Sequence, residues 1–411
     1  MIKLRSYQKN IVKTGLPVLK KHRFLYLAME VRTGKTLTSL SISNLLPVQN
    51  LLFITKKKAI YSIQEDYDKF NPNFNITVIN YESLHKITHD VIYDCVILDE
   101  AHTLGAYPKQ NKRSKQVSRI IKIHLPYVIL LSGTPTPESF SQMYHQVCSI
   151  PLNPFRSHKN FYSFAKTYVD VRKKYISSGY VDDYSDGSEI IIDVMKPFTI
   201  SHTQKESGFI VNTNEKILKI PIKPPLNNII QKLKKDLVVS GKQHVILADT
   251  SVKLMSKLHQ LYSGTVKFED GNSMVLDSFK AEYIFNKFKK NKIAIFYKFK
   301  EELNAIKSVY HDNICTEIFE FDNSKKSIAL QIVAGREGIS LKKAEAIVYY
   351  NIDFSATSYW QSRDRMTTKD RKFNNIYWIF TQGGIESEIY NTVVKKKDYT
   401  LKHFNRDLLS L

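Results

Sequence analysis

Phe24-Leu25-Tyr26-Leu27-Ala28 runs into Met29-Glu30-Val31-Arg32-Thr33-Gly34-Lys35-Thr36, and that into Leu37-Thr38-Ser39-Leu40. The order is a short apolar strand, a tight loop and the start of a helix. At such a junction, unpaired backbone N–H groups and the positive end of the helix can cradle phosphate oxygens. Lys35 would reach the outer phosphates of a nucleotide, and the Thr36 hydroxyl would ligate Mg2+. The pattern is incomplete, because Met29 stands where a phosphate loop usually has its first glycine. Gly-Lys-Thr alone also recurs by chance, so the loop needs support from elsewhere in the chain.

That support comes from the runs that follow. Asn50–Ile54, Ile76–Val78–Ile79, Cys95–Leu98 and Tyr127–Leu131 are short, nearly continuous apolar stretches separated by helical patterns. Strands buried on both faces read this way, and their alternation with helices predicts a parallel sheet covered on both sides. A second set keeps the same rhythm: Lys292–Phe296, Ile328–Ile332, Ala346–Tyr350 and Ile376–Phe380. The chain therefore reads as two α/β domains in tandem, 1–225 and 226–411. A helical, aromatic insertion is expected at about 150–200, and a helical segment at about 226–262 opens the second domain. Ile220-Pro221-Ile222-Lys223-Pro224-Pro225 reads as an edge strand running into a linker.

Cys95-Val96-Ile97-Leu98 leads directly into Asp99-Glu100-Ala101-His102. Carboxylates at the C-terminal end of a buried parallel strand lie where α/β sheets bind ligands. Asp99 could hold a Mg2+ shell, and Glu100 could orient and deprotonate a water. The next apolar strand ends in Ser132-Gly133-Thr134-Pro135.

Length and composition set the outer bounds. The 411 residues are 43% hydrophobic and 24% charged, values of an ordinary globular chain and not of a disordered or collagen-like one. The net charge of +22 points to a polyanionic partner, nucleic acid first. Lys56-Lys57-Lys58 after one strand, and Lys109, Lys112, Arg113, Lys115 and Arg119 after the acidic strand, are placed to meet phosphates. Three scattered cysteines without a Cys-x-x-Cys pair give neither a disulfide framework nor a zinc site. No signal-peptide core and no apolar run of about 18 residues appears, so a soluble, cytoplasmic protein with no membrane association is expected.

The order of these elements resembles the Swi/Snf-type translocases of helicase superfamily 2, with a DEAH-type acidic motif. Leu4-Arg5-Ser6-Tyr7-Gln8 resembles the adenine-recognising element, with Gln8 as the base contact. Glu30 and Thr33-Gly34-Lys35-Thr36 resemble motif I, in a Met-Glu-Val-Arg-Thr variant similar to small phage and bacterial members. Asn50–Lys58 resembles motif Ia, Asn80–Leu84 the next element of the family and Ser132–Pro135 motif III, whose Ser132 and Thr134, with His102, would couple nucleotide state to DNA grip. Lys292–Phe296, Ala334–Leu341 with Gly338, and Tyr359–Arg365 with Gln361 resemble motifs IV, V and VI.

The resemblance implies two RecA-like domains with ATP and Mg2+ in the cleft between them. Nucleotide would be bound by Gln8, Glu30, Thr33, Gly34, Lys35, Thr36, Gly338 and Gln361, the metal by Thr36 and Asp99. Lys35, Asp99, Glu100, Arg365 and Arg363 would be the catalytic groups, and Lys56, Lys57, Lys112 and Arg113 nucleic-acid contacts. It further implies a monomeric motor on double-stranded DNA, working with viral replication or recombination proteins in a host cytoplasm if the source is viral. Two departures stand out. Thr368 occupies the place of the second motif VI arginine, leaving Arg363, Lys369 or Arg371 to supply its charge. The paired arginines that chromatin remodellers carry near Pro197–His202 are absent. A DEAH-type RNA helicase and a non-catalytic, nucleotide-switched DNA clamp are the alternatives.

Overall fold

The computed structural model describes residues 3–88, 90–176, 179–208, 212–241, 244–335, 339–368 and 371–395. The chain divides into two compact units, Met1–Gly208 and Phe209–Leu411. Among the described residues no helix is long and apolar enough to cross a membrane.

The first unit is built on six parallel strands: β1 (Phe24–Met29), β2 (Asn50–Thr55), β3 (Asn75–Asn80), β4 (Cys95–Asp99), β5 (Tyr127–Leu131) and β6 (Thr199–His202). Their order across the sheet is β3-β2-β4-β5-β1-β6. Side chains alternate along a strand, and both faces need covering. Phe24 and Tyr26 of β1 therefore join one core with Leu52, Val96 and Val128, while Leu25, Leu27 and Met29 join a second core with Leu51, Phe53 and Ile97. Helix α1 (Ser6–His22) and helix α2 (Lys35–Ser43) cover that second face.

Strand β6 is not visible in the apolar pattern. Thr199-Ile200-Ser201-His202 pairs with β1 at the sheet edge, Ala28 opposite Ser201 and Met29 opposite His202. An edge strand needs only one inward apolar side chain, here Ile200, so its pattern is weak. The insertion at 150–200 is also only partly helical. Helix Phe161–Tyr168 buries Phe161 and Phe164, but Arg172–Ile176 and Gly179–Asp183 form an antiparallel hairpin. Ion pairs of Arg172 with Asp170 and Asp186 hold its base.

The second unit repeats the architecture with β7 (Asn212–Ile220), β8 (Ile293–Tyr297), β9 (Ile314–Cys315), β10 (Ser327–Gln331), β11 (Ala346–Tyr349) and β12 (Phe373–Thr381), all parallel, in the order β9-β10-β8-β11-β12-β7. The boundary falls before β7, earlier than the 225/226 division expected. The reason is register: Asn212 through Ile220 pair residue by residue with Phe373 through Thr381, which ties this stretch to the second sheet. The expected helical segment is two helices, Pro224–Asp236 and Ser251–Leu261, parted by the hairpin of Val238–Ser240 and Val245–Leu247.

A fully buried ion pair lies inside this unit. Lys280 Nζ is 2.8 Å from Glu386 Oε1 and 3.2 Å from the Tyr350 carbonyl, and neither side chain is exposed. Removing one partner from such a pair strands the other charge at a cost of about 3–5 kcal/mol, whereas removing both with apolar substitutes is nearly neutral. Glu386→Gln should thus lower unfolding stability by about that amount, and Lys280→Met with Glu386→Leu should restore most of it; urea titration of the two variants reads the difference.

Candidate active site

The loop between β1 and α2 turns sharply at two left-handed residues, Arg32 at φ 66° and Gly34 at φ 80°. Only glycine fits the second position. A Cβ on Gly34 would collide with Gln8 Nε2. The turn delivers the start of α2 to the loop, with Lys35 and Thr36 in its first turn. Lys35 Nζ is drawn back onto the loop, 3.0 Å from the Met29 carbonyl and 3.4 Å from that of Glu30. Thr33 closes the loop from inside, its hydroxyl donating to the Glu30 carbonyl at 2.8 Å.

Strand β4 ends at Asp99, whose carboxylate accepts a 2.8 Å hydrogen bond from Thr55 Oγ1 at the end of β2. The buried Tyr81 hydroxyl donates to the Asp99 carbonyl at 2.6 Å. Burial and then the neighbouring Glu100 charge push the Asp99 carboxyl up to about 6, against the opposing pull of Lys35 and Thr55. Glu100 is left-handed at φ 50°, a conformation that costs a non-glycine residue about 1–3 kcal/mol and clusters at functional sites. His102 Nδ1 lies 3.4 Å from Glu100 Oε2 and 3.0 Å from Ser132 Oγ, and Ser132 Oγ accepts from the Thr134 backbone N–H at 3.1 Å. Gly133 in turn sits against the backbone of Met29, Glu30 and Val31. The acidic strand, the Ser132–Thr134 loop and the Lys35 loop thus meet at one end of one sheet; the Thr36 hydroxyl and the Asp99 carboxylate are hard oxygen donors of the kind that Mg2+ takes.

The loop is also held from the sheet edge. Glu30, though exposed, fastens it: its Oε2 accepts from the Gln204 backbone N–H at 2.7 Å, and its own N–H donates to the His202 carbonyl at 2.9 Å. Gln204 Nε2 donates to the Val31 carbonyl at 2.9 Å. Tyr7 donates its hydroxyl to the Thr33 carbonyl at 3.0 Å and stacks on His202 at 4.5 Å. Thr55, Tyr81, His202 and Gln204 are brought here by strand ends; Thr55, Tyr81 and His202 lie in the Asn50–Lys58, Asn80–Leu84 and Pro197–His202 stretches of the motif order, whereas Gln204 carried no sequence signal.

Of the basic residues, Lys57 and Lys112 are exposed and Lys56 is half-buried. Arg113 is paired with Glu82 and lies over the Tyr81 ring, 5.6 Å from its centroid, so it braces the acidic strand from outside.

In the second unit, helix Ala356–Arg363 carries the motif VI stretch. Lys298 Nζ, past the end of β8, reaches Asp353 Oδ1 at 2.6 Å, and Asp353 Oδ2 accepts from Ser358 Oγ at 2.7 Å, which anchors the start of that helix. Arg365 is buried, its Nε donating to the Gln361 carbonyl at 2.9 Å, and Gln361 is buried with it. Arg363 has a different attachment: it pairs with Glu215 of β7 at 3.2 Å and lies over the Tyr359 and Trp360 rings. Glu215 also accepts from Tyr359 and Trp378, so Arg363 belongs to a cluster that holds the edge strand, which argues against its replacing the charge missing at Thr368. Arg371 donates to the Ala344 and Met366 carbonyls. Gly338 and Lys369 lie outside the described residues.

Residues 54–265, more than half of the chain, match the family described as the SNF2-related domain, and the chain belongs to that family. A comparison with curated proteins finds no match. Among solved structures, the SWI2/SNF2 ATPase core of Sulfolobus solfataricus in complex with dsDNA is 16% identical, with a TM-score of 0.44 and coverage of 100% of this chain and 93% of that one. A structure of the Sulfolobus solfataricus SWI2/SNF2 ATPase core domain is likewise 16% identical, with a TM-score of 0.43 and coverage of 96% of this chain and 89% of that one.

The raised Asp99 carboxyl has a direct consequence for stability. Between its unfolded value near 3.9 and its folded value of about 6 the native state holds the extra proton, so this group favours folding more as pH falls. Asp99→Asn removes the charge and should stabilise the ligand-free protein by about 1–2 kcal/mol at neutral pH, discounting for partial solvent access. The gain should shrink as pH falls through the folded value, as denaturant titrations of both proteins over about pH 5 to 8 will show.

Proposed function

We propose that the protein is a nucleic-acid-dependent ATPase that moves along duplex DNA. The observation that carries this reading is that His102 Nδ1 lies within reach of both Glu100 and Ser132, whose Oγ accepts from the Thr134 N–H, with Gly133 set against the Lys35 loop. It joins the groups that touch nucleotide to a loop whose shape can change with nucleotide state. Lys35, released from the Met29 and Glu30 carbonyls, binds the outer phosphates of ATP, and the N–H groups at the start of α2 share the charge. Thr36 and Asp99 would hold Mg2+, which would supply positive charge against the phosphates. Glu100 orients the attacking water and accepts its proton. The resemblance assigns Arg365 the role of the cation for the transferring phosphate.

The DNA half of the reading rests on family membership, the +22 charge and the exposed Lys57 and Lys112. Phosphate contacts of this kind are sequence-independent. A motor that grips and releases phosphates as its nucleotide turns over advances along the strand. Lys56 and Lys57 follow β2, Lys112 opens the helix after the acidic strand, and Arg113 steadies that helix on Glu82.

Steady-state hydrolysis with duplex DNA, single-stranded DNA and RNA tests it. Duplex DNA should stimulate most; stronger stimulation by RNA would favour the RNA-helicase alternative, and no turnover with any of them the clamp. Lys35→Ala should abolish nucleotide binding, whereas Glu100→Gln should retain it and lose about 10²–10⁴ in rate. Arg365→Ala should cut the stimulated rate by about 10³ or more and leave DNA affinity intact. In a salt titration of duplex binding, the log–log slope should be about −0.9 per phosphate neutralised and alike for unrelated sequences.

A further inference from the structure

We propose that Gln146 is a positioning residue for the reaction: its one amide clamps both ends of the Ser132–Pro135 loop and so sets how strongly nucleic acid stimulates turnover. This rests on the ATPase reading above and concerns how the loop of that site is held. Gln146 lies on the short helix Met143–Val147 and is only 1% exposed. Its Nε2 donates to the Pro135 carbonyl at 2.8 Å and to the Gln142 carbonyl at 3.2 Å. Its Oε1 accepts from the Tyr26 hydroxyl, in the fully buried middle of β1, at 2.8 Å. Ser132 in turn hydrogen-bonds to that hydroxyl. One end of the loop is thus held directly and the other through Tyr26.

The amide fits only one way round. It has two donor hydrogens and one acceptor oxygen, and turning it over would set that oxygen against two carbonyl oxygens. The Tyr26 proton therefore goes to Gln146, which leaves Tyr26 a lone pair for Ser132. Ser132 gives its proton there, and its Oγ accepts from the Thr134 N–H at 3.1 Å and from His102 Nδ1 at 3.0 Å. A proton on Nδ1 also faces Glu100 Oε2 at 3.4 Å, where a ring lone pair would meet a carboxylate. The direction of each bond from Gln146 to His102 thus follows from one buried side chain.

Between its two held ends the loop has a loose member. Thr134 Oγ1 is buried and has no hydrogen-bond partner among the described residues. A buried hydroxyl left unpaired is costly, so a loop that carries one is poised to move to where it gains a partner. The clamp confines that movement to Gly133 and Thr134. The segment that carries Gln146 also seats the insertion: Ser141 Oγ donates to the Tyr184 carbonyl at 2.7 Å, and Gly187 packs against Ser141 with no room for a Cβ.

Two measurements on the full chain test the clamp. Gln146→Met keeps the length of the side chain and loses every hydrogen bond of the amide. In hydrogen exchange of the ligand-free protein, followed by mass spectrometry, it should speed exchange of segment 132–137 by about tenfold or more and leave β1, β2 and β4 at wild-type rates. Tyr26→Phe, which frees only the Ser132 end, should have a smaller effect on the same segment. Faster exchange across the whole sheet would make Gln146 a packing residue and overturn the proposal, as would no change.

In steady-state hydrolysis with the most stimulating nucleic acid, Gln146→Met should lower the ratio of stimulated to basal kcat by about tenfold or more, since misplacing a group by about 1 Å costs up to about 10²-fold. Loss of folded protein lowers both rates alike and leaves the ratio, so an unchanged ratio overturns the proposal. Adding Tyr26→Phe to Gln146→Met should cost less than the product of the two single effects, because Tyr26 acts through Gln146; multiplicative effects would count against the clamp. Wild-type protein that hydrolyses no nucleotide sinks the ATPase reading, and the exchange result then decides the clamp by itself.

Discussion

The carboxylate of Asp99 has to be kept charged at the end of a sheet that offers it little water, and much of the first unit follows from that. An enclosed ion needs hydrogen bonds and an opposite charge. Thr55 supplies the first from the neighbouring strand, Lys35 supplies the second across the loop, and Tyr81 fixes the backbone on which the carboxylate stands. Glu100 works against this, and its charge is part of why the Asp99 carboxyl is raised.

The loop that opposes these acids is held from three sides. Gln8 supports Gly34 from α1, Gln204 and the backbone of His202 bind Glu30 and Val31 from the sheet edge, and Gly133 abuts Met29. This explains how the loop keeps its shape with methionine where a first glycine is usual. A tight turn requires glycine only where φ is positive and a neighbour leaves no room for Cβ, and here that is Gly34. The second unit shows the same economy around Glu215, which draws Tyr359, Arg363 and Trp378 onto the edge strand β7. Arginines two residues apart in the chain thereby have separate attachments, Arg363 to β7 and Arg365 to its own helix.

What could be read from the chain was read where a local rule governs. Continuous apolar runs announced β1, β2, β4 and β5 because strands covered on both faces have no polar side, and the Gly-Lys-Thr and Asp-Glu-Ala-His stretches announced the site because each lies immediately after such a run. Burial of Phe161 and Phe164 in the insertion follows from the same logic. Strand β6, the boundary before β7 and the hairpin in the insertion escaped, because edge strands and exposed ribbons carry mixed sequences whose pairing depends on partners far along the chain.

The sequence by itself therefore determined the repeated α/β plan and the placing of the Gly34–Thr36 loop and the Asp99–His102 stretch at strand ends, since each is a contiguous pattern set by strand burial and turn geometry. The tertiary structure alone decided which polar atoms remain for a ligand. That Gln8 supports Gly34, that Glu30 holds Gln204 and that Arg363 answers Glu215 are long-range pairings. A side chain's hydrogen-bonding capacity is finite, and what it has left for a substrate is known only when every neighbour brought to it by folding is known.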